Sequence, residues 1–153
     1  MTTLRSLYPF LSLSLTAVLV SACGNLQSAH VEKAQISNIP VQDLAYDITP
    51  EGVAFAPLDG NRFDEPYMAM VRLPAGLESP AHVKSANMFG VMISGSMTHS
   101  AVGTATGDEV ILPPGSYYKI PAGMKHVSKC VSDVECVTFL YQDGRFDFQP
   151  VSQ

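Results

Sequence analysis

The stretch GSYYKIPAGMKH, Gly115 to His126, sets four residues at fixed intervals: Gly115, five residues, Pro121, one residue, Gly123, two residues, His126. Glycine and proline punctuate the chain at turns, and SYYKIP between them reads as a short strand. The interval therefore delivers an imidazole just after a tight turn. This is what the closing half of a metal site in a small β-barrel needs. The opening half must lie upstream and supply the remaining ligands.

Working outward from this stretch, the chain from Ile39 onward repeats one pattern. Short runs with period-two alternation or β-branched and aromatic content are broken by Gly, Pro and Asp: GVAFAPL, PYMAMVRLP, MFGVMISG, SMTHSAV, EVILPPG, KHVSKCV, ECVTFLYQ and RFDFQP. No run has the length and period of an amphipathic helix. Several short strands separated by turn signals predict an all-β sandwich or barrel. There is no internal repeat.

The upstream half runs Gly76, five residues, His82-Val83-Lys84, three residues, Met88, six residues, Gly95. Together the two halves resemble the paired motifs of the cupin family, over about residues 66 to 141. Motif two matches in residue type and spacing, motif one in spacing. The family's second histidine is Lys84 here, its glutamate is Met88, and Cys130 stands where asparagine is frequent. The chain also resembles a ChrR-type cupin group with similar ISG, PAG and closing GxFDF-like segments. The resemblance implies a single-domain jelly-roll β-barrel, a pocket, a divalent transition metal in many members, and a homodimer through edge strands.

A cupin metal centre takes three imidazoles and a carboxylate, and even a minimal oxygen-activating centre takes two histidines and a carboxylate on one face. Here His82 and His126 remain. Lys84, as an ammonium, has no lone pair, and Met88 is a weak, soft thioether. The favoured reading is a pocket without cofactor, lined by His82, Lys84, Met88, Met92, Tyr118 and His126. A divalent transition metal held by His82 and His126 is the alternative. It would make the chain a divergent oxygenase or isomerase.

Lys84 suggests a different chemistry. A cation beside two neutral imidazoles that donate hydrogen bonds suits a carboxylate or another small anion. Two other roles stay open for it: a lysine that snorkels to the barrel mouth and pairs with Glu78, or an amine made nucleophilic by burial. Period-two alternation puts His82 and Lys84 on one side of a strand, and Met88, Gly90 and Met92 on one side of the next. His99 is expected near a turn at the surface, and Tyr118 can equally serve core packing.

The N-terminus reads as an export signal. Arg5 is the only charge before the apolar run Leu7 to Val20, which is shorter than the roughly 20 residues of a spanning helix and contains Pro9. VSAC, Val20 to Cys23, resembles a bacterial lipobox, which implies cleavage before Cys23 and lipid on its thiol. The expected organisation is a signal peptide over 1–22, a lipidated Cys23 with a polar tether to residue 38, and the barrel over 39–153. Gly24, rather than aspartate, implies the outer membrane, facing the periplasm. With Cys23 assigned to lipid, two cysteines remain, Cys130 and Cys136. In an oxidising compartment they suit a disulfide across two short strands around Ser132-Asp133; buried free thiols are the alternative. Net charge is −5, and no basic run occurs. That argues against nucleic acid as a partner and leaves lipid as the only membrane attachment.

Overall fold

In the computed structural model, which describes residues 35–152, the alternating runs form two antiparallel sheets. Chain order is β1 (Asp47–Ile48), β2 (Ala54–Asp59), β3 (Tyr67–Leu73), β4 (His82–Val83), β5 (Met88–Ser94), β6 (Met97–Ala101), β7 (Tyr117–Ile120), β8 (His126–Cys130), β9 (Cys136–Gln142) and β10 (Gln149–Pro150). One sheet has the order β1-β2-β3-β9-β5-β7 and the other β10-β4-β8-β6. This is the jelly roll that the paired motifs imply. Residues Ser37–Gln153 form one compact unit. The expected signal peptide and Cys23 lie outside the described residues. Among the described residues no helix is long and apolar enough to cross a membrane.

Alternation decides which side chains face inward. Along β3, Tyr67, Ala69, Val71 and Leu73 are buried, and along β9, Cys136, Thr138, Leu140 and Gln142. The register sets Ala69 beside Leu140 and Val71 beside Thr138, and carries on to β5, where Gly90 faces Leu140 and Met92 faces Thr138. Burial of each large apolar side chain here stabilises the fold by about 2 kcal/mol. Gly95 closes the turn after β5 with φ of 71°, and a Cβ there would lie 2.8 Å from Cys136 Cα. Its place in the motif is thus set by the backbone approaching closely on one side.

Two sequence expectations need correction. EVILPPG is not a strand; only Leu112 forms a bridge, to Met97, while Val110 and Ile111 are exposed. Pro113 and Pro114 have no N–H to continue a ladder. The segment around Ser132-Asp133 is not a hairpin either, because β8 and β9 belong to different sheets. Cys130 ends one and Cys136 begins the other. Their sulfurs are bonded, with Cα atoms 5.8 Å apart, so the disulfide joins the two sheets at a corner.

Candidate functional site

A cavity of about 850 Å³ lies among inward residues of both sheets. The six-stranded sheet lines it with apolar side chains, among them Phe55, Val71, Met88 and Leu140. The four-stranded sheet and its connections contribute His82, Lys84, His99 and Ser128. Its volume lies within the range that encloses a small organic molecule. A second space of about 280 Å³ is lined by His99, Ser100, Tyr118, Met124 and His126, among others.

His82 and His126 face each other in the register of β4 and β8, with ring centroids 4.2 Å apart and almost no exposure. Each donates its Nδ1–H to the carbonyl two residues upstream, His82 to Pro80 and His126 to Met124, both at 2.9 Å. A carbonyl can only accept, so these bonds fix the tautomer. Nε2 of each neutral ring is left with a lone pair. Burial lowers the His82 pKa to about 4 and holds His126 below its ordinary value as well. The expectation that these imidazoles donate hydrogen bonds to an anion is therefore corrected: their one proton is already committed to the backbone.

Lys84 lines the large cavity and is buried. Nζ donates to the Asp147 carbonyl at 2.7 Å and sits 3.9 Å from the Phe146 ring centroid. Burial lowers its pKa to about 8, with the Asp147 carboxylate pulling the other way. Below that pH it remains a cation with donors to spare. The pairing with Glu78 does not occur, because Glu78 bonds Lys129 at 2.8 Å.

The remaining candidates divide. Met88 lines the large cavity. Met92 is 1% exposed and belongs to the core cluster, off both cavity walls. Tyr118 lines the smaller space and bonds Thr138 Oγ1 at 3.1 Å through its hydroxyl. Its ring lies over Gly90, where any Cβ would collide with it. Burial raises its pKa to about 12.

His99 is not a surface residue near a turn. It sits within β6, takes a bond at Nδ1 with Ser128 Oγ at 2.8 Å, packs 4.2 Å from the Tyr118 ring and lines both cavities. Burial lowers its pKa to about 3, reinforced by His126 and His82. Alternation from buried Met97 would have marked it as inward. Phe146 and Phe148, in the closing segment, were also missed as cavity residues; Phe148 stacks on His82 at 4.2 Å.

As a metal centre the set is incomplete. His82 and His126 have the right tautomer, but Lys84 is turned to a carbonyl. Among the described residues no three side chains of His, Cys, Asp or Glu are grouped to hold an ion.

Comparison with known proteins fits this geometry. A family model described as Domain of unknown function (DUF4437) matches residues 29–153. The chain belongs to that family. A search of curated proteins found no match. Among solved structures, the polyketide cyclase RemF from Streptomyces resistomycificus aligns with a TM-score of 0.62 at 16% identity, covering 78% of this chain and 87% of that one. KdgF from Halomonas aligns at 0.57 and 15%, covering 74% and 97%. An RmlC-like cupin from Shewanella frigidimarina gives 0.57 and 14%, covering 72% and 95%. At such identities the likeness establishes the fold alone: this DUF4437 chain has the jelly-roll fold of the cupins.

Proposed function

We propose that the protein is a lipid-anchored binding module, held by Cys23 at the outer membrane and facing the periplasm, that keeps a small, largely apolar anion in the barrel. A ChrR-type kinship and a homodimer through edge strands belong to the same reading. One observation carries it: the large cavity is walled by apolar side chains, and the cations Lys84 and Arg62 are on that wall. Such a wall favours a ligand with an apolar body and few polar groups. The full chain, purified in mild detergent, should carry a stoichiometric small acid in native mass spectrometry and a lipid mass on Cys23. Release of the unmodified protein into the soluble fraction would remove the anchor, and a ligand that is cationic would remove the anion site.

A second reading is favoured by the buried Nε2 atoms of His99 and His126, which have no hydrogen-bond partner. Lone pairs there and on His82 could hold a divalent transition metal, as in a divergent oxygenase or isomerase. The metal would supply Lewis acidity, and the carbonyls of Pro80 and Met124 would fix the ligand rings. Binding comes first because Lys84 and Met88 stand where a cupin centre takes two of its ligands. Tightly held stoichiometric metal, found by elemental analysis of protein purified without chelator, would reverse that order.

A further inference from the structure

We propose that Arg62 determines the specificity of the large cavity, and that its ligand class is an apolar monocarboxylate whose acid group pairs with this guanidinium. The inference rests on the binding reading above and names the chemistry of that ligand.

Arg62 lies in the connection between β2 and β3 and lines the cavity. Its guanidinium carbon sits 4.6 Å from the Phe55 ring centroid, 4.5 Å from Phe63 and 5.8 Å from Phe146. Its own carbonyl accepts the Phe146 N–H, which ties this loop to the closing segment. Three aromatic faces hold the planar group in place, so little freedom is left to lose when an acceptor arrives. Yet Nη1 is buried and has no hydrogen-bond partner. A buried charged donor without an acceptor is costly, and a carboxylate oxygen would remove that cost.

No protein group fills the role. The two ion pairs among the described residues are Arg72–Glu135 and Lys129–Glu78. Asp47 and Glu51 also line the cavity, but both are exposed and neither pairs with Arg62. Lys84 already donates one hydrogen bond to the Asp147 carbonyl, and His82, whose Nδ1–H is committed to Pro80, offers only an acceptor. A guanidinium held flat among aromatic rings matches the planar fork of a carboxylate.

The test compares 3-phenylpropionate with 3-phenylpropan-1-ol, which has the same apolar body and no charge, by calorimetry on the full chain in non-ionic detergent. The acid should bind at least tenfold more tightly, the scale of one charged hydrogen-bonded pair. Arg62→Met should abolish that preference and leave the alcohol's affinity unchanged. Lys84→Met should weaken the preference less than Arg62→Met does. Should Arg62→Met fail to fold, Arg62→Lys retains charge without the fork and should lose most of the preference. Equal affinity for acid and alcohol in the native protein would overturn the role of Arg62 while leaving an apolar binding cavity. Loss of the preference in Lys84→Met but not in the Arg62 variants would move the anion to Lys84. Binding of neither probe would overturn the inference together with the reading beneath it.

Discussion

The two sheets face one interior and furnish it differently. Inward positions of β3, β5 and β9 are mainly Ala, Val, Leu and Met, whereas β4, β6 and β8 turn His82, His99, His126 and Ser128 toward the cavities. The long sheet has seven-residue pairings, such as β3 on β9, that rest on apolar packing. In the short sheet, β4 meets β8 at one registered pair, and each buried polar group must find its own partner. Stability and chemistry are thus assigned to opposite walls, which lets one side carry polar groups because the other carries the packing.

Three experiments would break or sharpen this contrast. Leu140→Ala in the long sheet should cost about 3 kcal/mol in urea denaturation, and Ser128→Ala in the short sheet about 1 kcal/mol. Equal losses would mean that the walls share the load. Next, replacing both Cys130 and Cys136 by alanine should cost about 2 kcal/mol, a gain that reductant should likewise take from the native protein. If the midpoint does not move, the corner joining the sheets is held by packing alone.

The third experiment concerns pH. His82 and His99 have pKa values lowered from 6.5 to about 4 and about 3. Below 6.5 the unfolded chain takes up protons that the folded one refuses, so stability is full above 6.5 and falls as the medium is acidified. His99→Phe should flatten that fall relative to the native protein, whose carboxylates serve as the shared background. Lys84, lowered from 10.5 to about 8, gives the same sign higher up: stability should rise with pH between about 8 and 10.5. Lys84→Met should erase this second rise. A native profile flat through both windows would place these groups in water, not in the wall.

What could be read from the sequence follows from what makes a local signal. Gly76, Gly95, Gly115 and Gly123 all have positive φ, so the motif spacing was a record of turns and led directly to the barrel. Period-two alternation placed His82 and Lys84 on the inner side because it depends on the pleat alone. It could not say where a long side chain ends, and Lys84 Nζ is directed by Asp147, 63 positions away. Arg62 left no trace, since a residue in NRFDEP has no period and its setting comes from Phe55, Phe63 and Phe146. The disulfide partners were legible as a pair, but not as a link between sheets, because adjacency in sequence suggests a hairpin until the topology is known.

The brevity of β4 has a kinetic consequence. It pairs with β10 through Gln149 to Val83 and Pro150 to His82, and proline brings no N–H. Besides these two pairs the segment is tied by Val151 N–H to the Ala81 carbonyl, Lys84 Nζ to the Asp147 carbonyl and Ser85 N–H to the Asp147 carboxylate. That flank is expected to open before the seven-pair ladder of the long sheet, as slower hydrogen exchange in β3 and β9 than in β4 would show. Phe148 and Pro150, which border the cavity there, would swing with it. On the binding reading proposed above, exchange of a bound molecule would be timed by this narrow flank, while the long sheet stays closed and keeps the barrel intact between one occupant and the next.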